Sequence, residues 1–214
     1  RVDPTGMSDT GYTIDENGYL EKVNDEGGEK YDVIYKKDKY SRKTMTDYDE
    51  TGNLTGIKIS KGILSGPEGK NMSPRPITGR IYSQDGHATG ATITNHSYVI
   101  SSDKESLKIM NFLSKNTNVE WGNVYMGNVQ GNKVNLLQTS HEYGTISLGS
   151  FQINRYARSG YQVIRADHSH PDGKVASESD KGNARNILQH SPKTTFRILF
   201  NGRYYDYTKN VFNP

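Results

Sequence analysis

The stretch that decides the fold is Tyr161-Gln162-Val163-Ile164-Arg165-Ala166-Asp167-His168-Ser169-His170-Pro171. Residues 161–166 are rich in apolar and β-branched side chains and predict a strand. That strand runs directly into His168 and His170, which are separated by one residue. Side chains two positions apart on an extended segment project to the same side. Both imidazoles can therefore reach one ion at the end of the strand.

A second motif follows at Ser177-Glu178-Ser179-Asp180. Ser177 predicts a helix N-cap worth about 1 kcal/mol, and it places Asp180 where the helix dipole favours an anion. Two histidines and one carboxylate, with a fourth position open to water, make a catalytic zinc arrangement. We therefore predict Zn²⁺ bound by His168, His170 and Asp180. A further carboxylate would move the proton, and the Ser177 hydroxyl could point at an oxyanion.

The rest of the C-terminal part alternates between helical and extended patterns, which predicts an α+β (α/β-like) domain at residues 93–214. Ser102 and Glu105 form a capping-box motif at the start of a helix with an apolar face. Asn201-Gly202 predicts a type I′ hairpin turn. The predicted strands are 95–100, 119–126, 133–138, 161–166, 196–200 and 203–207, and the predicted helices are 103–115, 150–160 and one that begins after Ser177.

Residues 1–92 differ in character and predict a separate, hairpin-rich and partly irregular region. Asp15–Leu20 and Asp49–Leu54 carry the same Asx/Gly turn chemistry between short alternating stretches, which indicates β-hairpins. Residues 21–50 are dense in both charge signs and predict a solvated face or a flexible arm. Residues 61–92 are rich in Gly, Pro, Ser and Thr and predict a linker that contains the domain boundary.

The composition limits the possible partners. Of the 214 residues 32% are hydrophobic, and 27 Lys and Arg nearly balance 24 Asp and Glu. The basic residues are scattered among acids rather than aligned along a stripe, so a nucleic-acid partner is not expected. There is no cysteine, so any metal must be held by histidine and carboxylate. No apolar run approaches the ~20 residues of a membrane span.

Together the two motifs resemble the JAMM motif of the MPN/JAB metallopeptidases, which reads Glu, then His-x-His-Pro, then Ser-x-x-Asp. The resemblance covers roughly residues 95–214 and implies an MPN/JAB-like mixed sheet flanked by helices. It implies zinc ligation by His168, His170 and Asp180, with Glu120 as general acid/base and Ser177 stabilising the tetrahedral intermediate.

This sequence departs from the family pattern at two places. Six residues, 171–176, separate His170 from Ser177 where the family usually has seven, which leaves Ser179 as the alternative hydroxyl. In the segment from Glu120 to Gly127 the inner glycine, Gly122, lies one residue closer to the glutamate than in the family pattern. Glu142, which has His141 beside it, stays open as an alternative base. The four other histidines, His87, His96, His141 and His190, have no partner at ligand spacing and are interpreted as surface or packing residues.

The first residues, Arg1-Val2-Asp3-Pro4-Thr5-Gly6-Met7, resemble the Asp-Pro-x-Gly junction that closes Rhs/YD-repeat cores. The chain also has no initiator Met, so we interpret it as the C-terminal part of a longer protein. The resemblance implies a secreted bacterial toxin tip delivered into a target cell by a parent Rhs-type core. A cognate immunity protein and a protein or peptide substrate are the implied partners.

Three functions from different classes follow from these motifs. The first is a zinc peptidase or isopeptidase toxin. The second is a metal-dependent nuclease toxin, which a nucleic-acid cleavage assay would separate from the first. The third is a non-catalytic MPN-like binding module, which would lack metal ligands.

Overall fold

The computed structural model describes residues 10–24, 31–37, 55–64, 77–82, 88–143 and 150–212. Its strands β1 to β11 are Thr10–Ile14, Leu20–Asn24, Tyr31–Lys36, Gly56–Ser60, Ile77–Tyr82, Ala88–Ile100, Trp121–Gly127, Lys133–Thr139, Gln162–Ser169, Thr195–Phe200 and Arg203–Asp206. Its helices α1 to α3 are Asp103–Asn116, Ser150–Arg158 and Glu178–His190, and a 3-10 helix spans Thr208–Asn210. The predicted α+β class is confirmed.

The larger sheet has seven strands in the order β11-β10-β9-β7-β8-β6-β5. β9 and β10 are parallel, and the other neighbours are antiparallel. The sheet is therefore mixed, as the family resemblance implied. β7 lies between β8 and β9, so the segment that begins just after Glu120 runs beside the strand that carries the histidine pair.

Helices cover both faces of this sheet. On one face, Ile109 and Leu113 of α1 share a buried cluster with Trp121 of β7. On the other face, Ala184 of α3 shares a second cluster with Val124 of β7. Because successive strand residues point to opposite faces, β7, β8 and β10 each contribute to both clusters. In the part of the chain that the structure describes, no helix is long and apolar enough to span a membrane.

The N-terminal residues form a second, four-stranded sheet in the order β2-β1-β3-β4. β1 and β2 form the hairpin predicted around Asp15–Leu20. The second copy of the turn motif, at 49–54, lies outside the described residues. The interpretation of residues 21–50 as a solvated arm is wrong for Tyr31–Lys36, because β3 is a central strand whose Val33 and Ile34 are fully buried. Its apolar core was hidden by the charges on either side of it.

The predicted linker at 61–92 is also wrong in part. Residues 77–82 and 88–92 are extended and pair as β5 and the start of β6. β6 thus begins well before the predicted strand at 95–100. This Thr- and Gly-rich sequence has few apolar residues and therefore indicates an irregular segment. In the structure, pairing with a neighbouring strand satisfies its backbone hydrogen-bonding groups. The division at residues 92 and 93 stays a prediction.

Helix α1 begins as predicted, with one difference. The Glu105 N–H donates to Ser102 Oγ at 3.3 Å, which confirms Ser102 as the N-cap. The Glu105 carboxylate, however, accepts from the Ser60 N–H at 3.1 Å. A side chain expected to complete the capping box therefore ties α1 to β4 instead.

The hairpin turn predicted at Asn201-Gly202 is confirmed by its backbone angles. Asn201 and Gly202 have φ of 48° and 74°. Two successive positive φ angles are what a type I′ turn requires. The turn sets the antiparallel pairing of β10 with β11.

A buried ion network fixes the register of β9 on the α1 face. Asp167 is fully buried and accepts from Arg165 Nε at 2.7 Å and from Arg197 Nε at 2.7 Å. Arg165 continues to Asp103, the first residue of α1, through both of its Nη atoms. One carboxylate thus joins β9, β10 and a helix. Because His168 follows Asp167 on the same strand, the His168 side chain is directed to the opposite face of the sheet.

We expect Asp167→Asn to lower the free energy of unfolding by about 3–5 kcal/mol, because it leaves two half-buried guanidinium groups without their shared anion. Urea unfolding at constant m-value measures the change. Glu21→Gln is the control: the Lys37–Glu21 pair is 54% and 64% exposed, so its loss should leave the urea midpoint unchanged. An Asp167→Asn protein as stable as the unchanged chain would contradict the assignment.

Candidate metal centre

The histidine pair is held by strand pairing on both sides. β9 extends to Ser169, three residues beyond the predicted strand end, so His168 lies within the strand and His170 just after it. His168 pairs with Gly122 of β7 on one side and with Ile198 of β10 on the other. The His170 N–H donates to the Leu199 carbonyl at 3.0 Å. The backbone of both histidines is therefore fixed before any ligand binds.

The two imidazoles and Asp180 converge on one point. The Nε2 atoms of His168 and His170 are 2.9 Å apart. They lie 3.3 Å from Asp180 Oδ1 and 3.4 Å from Asp180 Oδ2, respectively. One ligand atom from each residue falls within 4.8 Å of the others. In a tetrahedral site with bonds of 2.0–2.1 Å, ligand atoms are about 3.3 Å apart, so the three side chains fit a single ion.

Asp180 is oriented by the start of α3. Ser177 is the N-cap, and the Asp180 N–H donates to Ser177 Oγ at 3.1 Å. In return, Asp180 Oδ2 accepts from the Ser177 N–H and from the Ser177 hydroxyl, each at 2.7 Å. This reciprocal capping box holds the carboxylate without occupying Oδ1. The motif predicted from the sequence is thus both a helix cap and a ligand support.

Glu120 lies at the edge of the same site. Its side chain is buried, and its Oε1 is 3.8 Å from His170 Nε2. Its backbone is held at both ends, since its N–H donates to the Glu142 carbonyl at 3.2 Å and its carbonyl accepts from Thr139 Oγ1 at 2.8 Å. The Trp121 N–H donates to Ser169 Oγ at 2.9 Å, which joins the start of β7 to the end of β9.

The competing glutamate is placed differently. Glu142 is exposed, and its side-chain charge acts on His141 rather than on the histidine pair. Trp121 faces away from Glu120 into the core, as predicted, and is fully buried. The geometry therefore brings Glu120 to the candidate metal ligands and leaves Glu142 as a backbone support for it.

The C-terminal part of the chain matches a known family. Residues 98–188 match the family model described as JAB-like toxin 1. This segment is a JAB-like toxin domain. The match runs from β6 into α3, so it includes Glu120, His168, His170, Ser177 and Asp180. No curated protein is significantly similar to the chain.

The candidate metal ligands of the JAB-like toxin domain are electrostatically coupled. Burial alone would lower the pKa of His170, but the hydrogen bond to Asp180 and the charges of Glu120 and Asp180 outweigh it and raise the pKa. Burial alone would raise the pKa of Asp180, but hydrogen bonds from His168 and His170 hold that pKa well below its usual range. Asp180 is therefore ionised at neutral pH.

Three supporting residues had no motif to reveal them. Thr139 and Ser169 hold the backbone around Glu120, as described above. Tyr207 is buried and meets the His168 ring edge-on, with centroids 6.0 Å apart. Burial, followed by the charges of Asp180 and Asp167, raises the pKa of Tyr207, so it stays a neutral phenol. Thr139 and Ser169 are polar residues on strands, and Tyr207 follows a strand, so no spacing in the sequence marks them. Their contacts are seen only once the strands are paired.

We expect the His170–Asp180 interaction of the metal-free protein to contribute most to stability on the acidic side of neutrality. The raised pKa of His170 means that its interaction with Asp180 stabilises the fold fully below the ordinary histidine pKa of about 6.5 and is lost as the pH rises through the folded value. The unfolding midpoint, measured against pH with a chelator present, checks this. His170→Ala should flatten that part of the profile. An unchanged profile in His170→Ala would contradict the coupling.

Proposed function

We propose that the JAB-like toxin domain is a zinc-dependent peptidase or isopeptidase that acts as a secreted bacterial effector. The observation that supports this most directly is the convergence of His168, His170 and Asp180, with the buried Glu120 carboxylate 3.8 Å from His170 Nε2. A metal-ligand triad beside a separate carboxylate supplies both parts that amide hydrolysis needs, a polarising centre and a proton carrier.

The donor set favours zinc. Two imidazole nitrogens and one carboxylate oxygen are ligands that zinc accepts in catalytic sites, where a fourth position takes water. Zinc held there would supply a water of lowered pKa and a Lewis acid for the scissile carbonyl. The oxygen-rich sets that magnesium and calcium prefer contain no imidazole.

Glu120 is suited to carry the proton. Its side chain is 6% exposed, and its Oε1 lies 3.8 Å from His170 Nε2. In our proposal the carboxylate takes a proton from the attacking water and gives it to the leaving amine. Its backbone is fixed by Thr139 and Glu142, so the base of the side chain is held at the edge of the site.

Ser177 has two compatible roles. Its hydroxyl donates to Asp180 Oδ2, and the Ser177 N–H donates to the same oxygen. The carboxylate therefore keeps one partner if the hydroxyl turns toward a developing oxyanion. Ser177 is in this way proposed to orient a ligand in the resting site and to stabilise negative charge during the reaction.

The setting is part of the proposal. The toxin family match supports action on a target cell, and the Asp-Pro-x-Gly resemblance at residues 3–6 supports delivery by a parent Rhs-type core. A toxin that hydrolyses protein or peptide bonds would also endanger its producer, so a cognate immunity protein is proposed as a partner. Neither alternative function has an observation that favours it: the ligand set is complete, and no basic stripe was found.

We expect one zinc per chain and a toxic activity that depends on Glu120. Glu120→Gln keeps the size of the side chain but cannot accept a proton, so killing of target cells should fall by about 100-fold or more, while zinc content stays at one. Metal analysis and dose–response measurements check both. Glu142→Gln is the matched control and should remain fully toxic.

Two results would refute this function. One is purified protein that binds no zinc. The other is a fully toxic Glu120→Gln protein. Incubation with plasmid and RNA gives a third measurement, since metal-dependent cleavage of either one that is lost in His168→Ala would establish the nuclease function instead.

We expect Ser177→Ala to lose about 1 kcal/mol of stability through the helix cap and, separately, about 100-fold in activity through the oxyanion. Urea unfolding and toxicity at saturating zinc separate the two effects. Ser179→Ala, at an exposed neighbouring position, is the control. Loss of activity in Ser179→Ala alone would assign the oxyanion role to Ser179.

A further inference from the structure

The turn Asp15–Tyr19, between β1 and β2, packs against the segments that hold Glu120. The Asn118 N–H donates to the Glu16 carbonyl at 2.8 Å, two residues before Glu120. The turn itself is closed by Asp15, whose Oδ1 accepts from the Asn17 and Tyr19 N–H groups at 3.0 and 2.9 Å. A rigid turn of the N-terminal sheet thus pairs with the chain leading into the proposed base.

The same turn contacts the other support of Glu120. His141 Nδ1 lies 2.7 Å from the Asn17 carbonyl, and the Tyr19 ring stacks on the His141 ring with centroids 3.9 Å apart and planes 3° apart. His141 immediately precedes Glu142, whose carbonyl accepts the Glu120 N–H. Contacts from one five-residue turn therefore reach Glu120 from both sides.

The histidine contacts have a defined protonation. Because the Asn17 carbonyl can only accept, His141 Nδ1 must carry the hydrogen. Neutral His141 then accepts at Nε2 from His96 Nδ1, 2.8 Å away. Burial lowers the pKa of His96 to about 4 and also lowers that of His141, against the charges of Asp15 and Glu142. Both rings are neutral at neutral pH, so each hydrogen bond in the series Asn17–His141–His96 has one donor and one acceptor.

His141 is also held in an unfavourable backbone conformation. Its φ is 60°, a value that a non-glycine residue adopts only when its surroundings compensate for the cost. The compensation here consists of the Asn17 bond, the Tyr19 stack and the bond to His96. Loss of the turn would leave His141 free to relax, and Glu142 would move with it.

We propose that the turn Asp15–Tyr19 is a positioning element for Glu120. On this view the N-terminal sheet is part of the catalytic unit rather than a tether for it. The inference rests on the proposed role of Glu120 as proton carrier. A catalytic side chain must be held within about 0.5 Å of its productive place by the residues behind it. The turn contacts Asn118, two residues before Glu120, and His141, which precedes the Glu142 whose carbonyl accepts the Glu120 N–H.

Gly18 offers a way to disturb the contact without removing a functional group. Its φ is +79°, and an added Cβ would lie 2.7 Å from Val119 Cγ2 and 3.4 Å from His141 Nδ1. Gly18→Ala would therefore clash with Val119 and push the turn away from the segment that leads into Glu120. Gly131 is the matched control, because its φ is +83° and an added Cβ there would meet nothing within 4 Å. The two substitutions share the backbone cost and differ in the contact.

The experiment uses the full 214-residue chain with zinc bound. In Gly18→Ala, amide hydrogen exchange should accelerate at Asn118 and Glu120 relative to Gly131→Ala. Zinc affinity, measured by chelator competition, should change by less than the ~10-fold that loss of a ligand's support costs. Toxicity should fall by at least about tenfold, since displacement of a catalytic group by about 1 Å can cost ~100-fold. Gly131→Ala should keep the exchange and toxicity of the unchanged chain.

A second variant guards against failure of Gly18→Ala to fold. His141→Asn keeps a residue type that tolerates positive φ and removes the Tyr19 stack and the bond to His96. It should show the same local exchange and the same loss of toxicity. Folded Gly18→Ala or His141→Asn protein with exchange and toxicity like Gly131→Ala overturns the proposal, as does a loss of toxicity explained entirely by lost zinc.

Failure of the proposed function gives a different pattern. If Glu120→Gln is fully toxic while exchange at Asn118 and Glu120 still accelerates in Gly18→Ala, the turn holds this segment but Glu120 is not the base. The positioning of a catalytic group is then overturned together with the function. If Glu120→Gln is inactive and exchange does not change, the function stands and only the positioning inference fails.

Discussion

The antiparallel pairing of β7 with β9 is the constraint on which the candidate site depends. This register sets Gly122 opposite His168, so Glu120 precedes the paired position by two residues and shares a face with it. A slip of one residue would turn every side chain of one strand to the other face. A bond from the Trp121 N–H to Ser169 Oγ fixes this register at its end. The bond from the His170 N–H to the Leu199 carbonyl holds the same end of β9 against β10.

Alternation along β9 separates two kinds of charge. Asp167 points to the α1 face, where two arginines neutralise it, and His168 points to the α3 face, where Asp180 approaches. The arginine-bound carboxylate is permanently paired. The Asp180 carboxylate on the other face is held by a helix cap and by the two imidazoles. A metal ion can take the place of the imidazoles as its partner. One strand thus keeps a structural anion and a candidate metal ligand apart, although the Asp167 and His168 positions are adjacent.

The site could be predicted where its residues lie close together in sequence. The His168 and His170 pair and the cap at Ser177 follow from local geometry, since strand alternation and helix capping act over a few residues. The position of Glu120 could be inferred only from family order, because its approach to His170 depends on which strands pair. Thr139, Ser169 and Tyr207 could not be found at all, since each acts through a neighbour that is distant in sequence.

The N-terminal region was misjudged for a related reason. The charges on either side of β3 hid its apolar core, and the Gly- and Thr-rich sequence hid β5, which is stabilised by pairing with β6. The buried cluster under α1 contains Tyr12, Ile14, Ile34, Ile59 and Leu64 from the N-terminal sheet together with Ile109, Leu113 and Trp121. Without that sheet, α1 would expose part of this cluster to water, at a cost of roughly 25 cal/mol per Å² of apolar surface. A composition change along a chain therefore need not coincide with an energetic boundary, and here the common core favours folding of the two sheets as one unit.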